Sequence, residues 1–119
     1  MTEKEIIMKI RASHILVATK EEAENIIKKL KKRFDNDMYE IYLSYDIDAN
    51  DPSFAPGTGT PEHFGLKSVD VLKFITNMIS SLNVKVMDIV EVSPLLDVNN
   101  VTSWLVLKTL LEIFEILNK

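Results

Sequence analysis

Ser44-Tyr45-Asp46-Ile47-Asp48-Ala49-Asn50-Asp51-Pro52, with Pro56-Gly57-Thr58-Gly59-Thr60-Pro61-Glu62 close behind it, is the stretch on which the reading of this chain turns. Its carboxylates, spaced by two and three residues, close an apolar run from Tyr39 to Ile47 that reads as a strand. From Asp48 to Gly65 the composition changes to Pro, Gly, Thr, Ser and Asp without periodicity, the pattern of a long and usually functional loop. Residues i and i+2 of a strand share a face, so Asp46 and Asp48 are expected to project side by side into one crevice. Two carboxylates that close repel, and a hard or borderline divalent cation such as magnesium or manganese neutralises them. The structural alternative is that Asp46, Asp48 and Asp51 only build Asx-turns at a strand end.

The flanking sequence alternates strand and helix. Ile6 to Val17, rich in Ile, Leu and Val and interrupted by Lys9 and Arg11, reads as a first strand. Thr19 is placed to cap a helix with Glu21, Glu22 and Glu24 early and Lys28, Lys29, Lys31 and Lys32 late, the polarity that complements the helix dipole. Ala23, Ile26, Ile27, Leu30 and Phe34 mark its buried face, the lysines its solvated one, and Asp35-Asn36-Asp37 its end. Downstream, Ser68 is expected to cap a helix through Leu82, with Val69, Leu72, Phe74, Ile75, Met78, Ile79 and Leu82 as its apolar positions. Val84 to Val92 forms a third strand that Ser93-Pro94 stops. Asn99 or Asn100 can then cap a last helix to about Leu117. Its Val101, Trp104, Leu105, Leu107, Leu110, Leu111, Phe114 and Leu117 spread over more than half the circumference, so it must be covered on most sides. This order predicts an α/β fold of parallel strands with right-handed crossovers, in which ligands bind beyond the C-terminal strand ends. Asp46/Asp48 and Asp88/Glu91 both lie at or near such ends.

At 119 residues the chain is one domain or part of one. A net charge of -4 gives no electrostatic reason to bind nucleic acid or an anionic membrane surface. With no cysteine, thiolate metal sites and cysteine nucleophiles are excluded, and chemistry rests on oxygen and imidazole. No apolar run approaches membrane-spanning length, so a soluble, cytoplasmic protein is expected.

The stretches Leu43-Ser44-Tyr45-Asp46-Ile47-Asp48, Asp51-Pro52-Ser53-Phe54-Ala55-Pro56-Gly57-Thr58-Gly59-Thr60-Pro61-Glu62 and Met87-Asp88-Ile89-Val90-Glu91-Val92-Ser93-Pro94 together resemble the ureohydrolase family. Its members, the arginases, agmatinases and related manganese enzymes, hydrolyse guanidino groups to urea and an amine. The resemblance covers roughly residues 39–117, and Gly59-Thr60-Pro61-Glu62 is similar to the agmatinase version of the loop. It implies a binuclear manganese cluster in which Asp46 bridges both ions and Asp48 is a ligand of one. Water activated by the two metals attacks the guanidinium carbon. Glu91 matches the carboxylate that pairs with the planar substrate guanidinium through two parallel hydrogen bonds. Thr60 matches a loop residue that helps orient that carboxylate.

The chain also departs from the family pattern. The remaining metal ligands of the family come from a Gly-Gly-Asp-His and an Asp-Ala-His-x-Asp motif, and neither occurs here. The two histidines lie outside any matching motif: His14 reads as a packed strand residue and His63 as a loop residue. Phe64 stands where the family usually has glycine, so if that position requires positive φ the loop must take another path. Ala12-Ser13-His14-Ile15-Leu16-Val17 and the acidic helix after it are similar to the opening of parvulin-type prolyl isomerases, though the rest of that site is absent. The family fold is a three-layer, eight-stranded parallel sheet, of which residues 1–119 would be a partial, C-terminal portion with three strands and three helices. The last two strands would be neighbours. One expectation is a chain inactive alone that self-associates as a homo-oligomer. Another is one half of a split enzyme, completed by a complementary chain bearing the histidine motifs. A third is a non-catalytic module that keeps a cation or guanidino ligand on Asp46, Asp48 and Glu91.

Overall fold

The computed structural model describes residues 20–34 and 39–119. The expected strand from Ile6 to Val17 with His14, the cap at Thr19 and the helix break at Asp35-Asn36-Asp37 lie outside the described residues. Helix α1 (Lys20–Phe34) opens with Glu21 and Glu22 and closes with Lys31, Lys32 and Arg33, charges that oppose the partial charges of its two ends. Ile27 is buried, Ala23, Ile26, Leu30 and Phe34 are partly covered, and Lys28, Lys29, Lys31 and Lys32 are exposed, so the lysine run is a solvated face as expected. Its neighbour in the structure is α2.

Strand β1 (Ile41–Asp46), helix α2 (Ser68–Ser81), strand β2 (Val84–Val90) and helix α3 (Val101–Leu117) complete the chain, with short 3-10 turns at Ile47–Ala49 and Pro94–Leu96. β1 and β2 are parallel neighbours, with Leu43 opposite Met87, Ser44 opposite Asp88, Tyr45 opposite Ile89 and Asp46 opposite Val90. Alternation along the strands sends Leu43, Tyr45, Met87 and Ile89 to one face. That face packs with Val71, Ile75 and Ile79 of α2 and Leu105, Val106 and Ile113 of α3 to form the core. The opposite face carries Tyr42, Ser44, Val86 and Asp88. Tyr42 and Val86 stand more than half exposed there, while the Tyr42 hydroxyl and Ser44 Oγ (2.7 Å) both donate to the Asp88 carboxylate. The class is therefore α/β with a parallel sheet, as expected; among the described residues it has two strands and three helices. No helix among the described residues is long and apolar enough to cross a membrane.

Four details correct the sequence-based expectations. β1 ends at Asp46 because that residue's carboxylate accepts the Asp48 N–H (3.2 Å) and turns the chain into a 3-10 turn. β2 ends at Val90 because Glu91 takes a left-handed φ of 63°, which no strand accommodates. In α2, Ser68 is the first helical residue rather than the cap, and Lys67 precedes it without a side-chain cap. Of the expected apolar positions of α2, Ile75 and Met78 are buried and Leu72, Phe74, Ile79 and Leu82 partly so, but Val69 is half exposed and Val71 is buried in its stead.

Helix α3 departs furthest. Its buried residues are Thr102, Thr109 and Ile113, while Trp104, Leu107, Leu111 and Phe114 face outward and are between 44% and 66% exposed. A threonine can serve as a core residue when its hydroxyl finds a partner within its own helix, and Thr109 Oγ1 donates to the Leu105 carbonyl at 2.8 Å. The expected cover over most of this helix is absent among the described residues.

Candidate functional site

The C-terminal ends of β1 and β2 lie side by side, so the segments leaving the two strands meet there. Ile47 is completely buried, and its anchoring between Asp46 and Asp48 directs the two flanking carboxylates outward. Asn50 is also buried. Its amide donates to Tyr45 Oη (2.5 Å) and to the Ile47 carbonyl (3.0 Å), locking the turn from beneath; the sequence does not mark this residue, because a loop asparagine carries no burial signal. Asp46 and Asp48 come within hydrogen-bonding reach of each other through the 3-10 turn, not through strand alternation. Burial pushes the Asp46 carboxyl above the usual carboxylate range. The backbone N–H of Asp48 works against this, and the charges of Asp48 and Glu91 add to it.

Thr60 Oγ1 donates to Asp48 Oδ2 at 2.5 Å. The threonine of the loop thus orients Asp48, where the resemblance implied that it orients Glu91. Glu91, the residue that follows β2, is exposed and lies at this end of the sheet with a left-handed backbone. Such a conformation costs a non-glycine residue on the order of 1–3 kcal/mol and is typical of positions with a task beyond packing. Asp88, three residues earlier, points to the sheet face with Tyr42 and Ser44 and takes no part in the cluster. His63 is an exposed loop residue, as expected.

The loop that carries Thr60 is tied down at both ends. Asp51 builds the Asx-turn of the structural alternative, accepting from Ser53 N (2.9 Å), Ser53 Oγ (2.6 Å) and Phe64 N (3.0 Å), bonds that hold its carboxyl below the ordinary value. Leu66 pairs with the turn, its N–H donating to the Ala49 carbonyl (2.8 Å) and its carbonyl accepting from Asp51 N (2.9 Å). Nearer the middle, Gly57 N donates to Thr102 Oγ1 on α3 (2.7 Å) and its carbonyl accepts from Ser93 N (2.7 Å). A Cβ at Gly57 would lie 2.8 Å from Asp97 Cβ, which is why only glycine permits this approach.

Asp97 is a structural residue that sequence reasoning misses. Asn99 and Asn100, both left-handed (φ 49° and 59°), curl the chain back so that the Asp97 carboxylate sits over the start of α3. It accepts from Val98 N (2.9 Å), Thr102 N (3.0 Å), Ser103 N (2.9 Å) and Ser103 Oγ (2.9 Å), and so does the capping expected of Asn99 or Asn100. Its only signal is an aspartate several residues ahead of the cap, a spacing that no standard capping pattern covers.

Phe64 also departs from expectation. It adopts the left-handed conformation (φ 63°) that favours glycine, and the ring is 93% exposed. Phe64→Gly should therefore stabilise the fold by about 1 kcal/mol, since it relieves backbone strain and removes no packing. A higher urea midpoint with unchanged slope is the expected reading; an unchanged or lower midpoint would show that the strain is compensated.

The donor set suits a divalent metal in part. Asp46 and Asp48 offer hard oxygen atoms, and the charges acting on Asp46 are both negative, from Asp48 and Glu91. Among the described residues no three His, Cys, Asp or Glu side chains converge as a metal site would require.

Comparison with known proteins places these features. The sequence profile of the arginase family matches residues 2–115, extending the resemblance through the segment that is similar to parvulins. An agmatinase of Serratia proteamaculans is 51% identical over 63 residues, which are 53% of this chain and 20% of that protein. An agmatinase of Neisseria meningitidis serogroup C is 42% identical over 80 residues, 67% of this chain and 25% of that protein. Among solved structures, a hypothetical agmatinase from Burkholderia thailandensis superposes with a TM-score of 0.68 at 30% identity, over 79% of this chain and 29% of that one. Formimidoylglutamase from Bacillus subtilis gives a TM-score of 0.73 at 28% identity, over 82% and 30%. The chain thus spans between a fifth and a third of the length of these relatives.

Proposed function

Because the chain belongs to the arginase family, we propose that it contributes the carboxylate half of a manganese-dependent ureohydrolase site, with Asp46 and Asp48 as metal ligands and Glu91 as the partner of the substrate's guanidinium. The observation that supports this reading is the 3-10 turn at the end of β1, which sets Asp46 beside Asp48 and lets Thr60 hold Asp48, with the charge of Glu91 felt at Asp46 from the end of β2. Manganese, when bound, supplies the Lewis acidity that activates water at neutral pH. The chain's own residues bind and orient. The 3-10 turn on buried Ile47 fixes the spacing of Asp46 and Asp48, Thr60 holds Asp48 by its hydroxyl, and Glu91 presents an anion to a planar cation.

The substrate class is a compound with a terminal amidino or guanidino group. Relatives named for agmatine, for proclavaminate and for arginine all share this part of the fold, which supports the group and not the rest of the molecule. In this reading the histidine ligands come from a complementary chain carrying the two motifs absent here, and residues 1–119 alone release no urea.

Titration with manganese, using the electron paramagnetic resonance of the free ion, tests the ligand assignment. Asp46→Asn together with Asp48→Asn should weaken binding at least about tenfold, while Asp88→Asn, outside the cluster, should leave it unchanged. Equal binding by the first pair and the unaltered chain would remove both ligands from the proposal. Urea release from agmatine by this chain alone would overturn the split-site reading; release only with the complementary chain is its expected result.

A further inference from the structure

Thr102, in the first turn of α3, is completely buried, and its hydroxyl oxygen accepts from Gly57 N at 2.7 Å. The same hydroxyl donates to the Asp97 carboxylate, which also holds the amides of Thr102 (3.0 Å) and Ser103 (2.9 Å). Its proton is thus committed to Asp97 and its lone pair is left facing the loop. We propose that Asp97 and Thr102 are positioning residues for the carboxylate cluster: Asp97 orients the Thr102 hydroxyl, and Thr102, through Gly57, sets where Thr60 meets Asp48. This rests on the assignment of Asp46 and Asp48 as metal ligands.

Burial along the loop explains why so distant a contact governs Thr60. Ala55, Gly57 and Thr58 are buried, whereas Gly59, Thr60, Pro61 and Glu62 are exposed. Packing therefore does not place Thr60, and its position follows from the nearest fixed point of the chain. That point is Gly57, three residues before it; the pairing of Leu66 with Ala49 lies twice as far along the chain on the other side. Gly57 is held from a second direction as well, its carbonyl accepting from Ser93 N (2.7 Å), two residues after Glu91. One glycine thus joins the segment bearing Thr60, the segment bearing Glu91 and the start of α3. A Cβ there would lie 2.8 Å from Asp97 Cγ and 2.9 Å from Thr102 Oγ1, so the three segments meet without slack.

Without the Thr102 hydroxyl, the buried Gly57 N–H has no acceptor, and such a group is relieved only by moving to water or to another partner. The helix start is fixed by the bonds from Asp97, so the loop is the part that moves. Its exposed tip then carries Thr60 away from Asp48, whose bond at 2.5 Å tolerates little displacement.

Manganese affinity, read from the electron paramagnetic resonance of the free ion, tests the clamp in the whole chain. Thr102→Val, which keeps the shape and removes the hydroxyl, should weaken binding several-fold, and Thr102→Ser, which restores it, should bind as the unaltered chain does. Asp97→Asn is a second route to the same loss if Thr102→Val does not fold. Thr60→Val should weaken binding about tenfold. Adding Thr102→Val or Asp97→Asn to Thr60→Val should cost nothing more, because both act through that one hydroxyl. Additive losses, or weak binding by a folded Thr102→Ser, overturn the proposal, since either makes the effect a general loosening of the fold. Full affinity in Thr102→Val, where Asp46→Asn with Asp48→Asn reduces it, overturns the clamp and leaves the ligand assignment standing. If that pair of substitutions changes nothing, the ligand assignment fails instead, and amide hydrogen exchange without metal decides the clamp: residues 57–60 should exchange several-fold faster in Thr102→Val and not in Thr102→Ser, and equal rates overturn it.

Discussion

Gly65→Ala is expected to destabilise the protein by about 3 kcal/mol or more, the upper range for forcing atoms into a filled space. A Cβ at this position would lie 2.6 Å from Asn50 C, 2.6 Å from Asp51 N and 2.9 Å from Ala49 O. All three are backbone atoms of the turn that carries Asp48, and the bridge between Asn50 and Leu66 holds the two segments together. A flexible side chain could move aside, but paired backbone cannot. Relief requires Leu66 to leave the Ala49 carbonyl, which would also release the loop bearing Thr60. Denaturant unfolding reads the loss directly. A cost below about 1 kcal/mol would show that the loop is not seated on the backbone of the turn.

Asp97→Ala carries the second large effect, about 2–3 kcal/mol, because it strips the amides of Thr102 and Ser103 of their acceptor at the partly buried start of α3. The carboxyl offers a further check through pH. Partial removal from water pushes it up, but the N–H groups of Ser103 and Thr102 and their hydroxyls outweigh that and hold it at about 2, against an ordinary 3.8. An acid whose folded value is depressed stabilises the fold fully above its unfolded value. That stabilisation is lost as the pH falls from about 4 toward 2. The gap in stability between the unaltered chain and Asp97→Asn should accordingly be widest near neutrality and close in acid. A gap independent of pH would leave only the shape of the side chain to explain the cap.

Much of this architecture is legible in the sequence. Apolar runs closed by carboxylates or proline mark β1 and β2 to within two residues, and the charge pattern of α1 marks its direction and its solvated face. Asp46, Asp48 and Glu91 are picked out by motif, and the fold brings them to one end of the sheet. Direction is what the sequence withholds. On a helix as apolar as α3, periodicity does not say which side faces in, and the two threonines can face inward because Thr102 Oγ1 accepts from Gly57 N and Thr109 Oγ1 donates to the Leu105 carbonyl. In α2 a similar ambiguity exchanges Val69 for Val71. The hydroxyl of Thr60 goes to Asp48 because the loop is pinned through Gly57 to Thr102 and through Leu66 to Ala49, contacts between residues up to 45 apart that no local pattern encodes.

Trp104 is the only tryptophan of the chain, and it lies on the outer stripe of α3 instead of in the core. Its fluorescence therefore speaks for the surroundings of the helix and hardly at all for the fold beneath it. An indole already in contact with water loses little of its environment when the core melts, yet gains a new one when any surface settles over it. The emission maximum of this protein is thus a gauge of what touches the outside of α3, and an unfolding curve traced by it alone would understate the opening of the sheet.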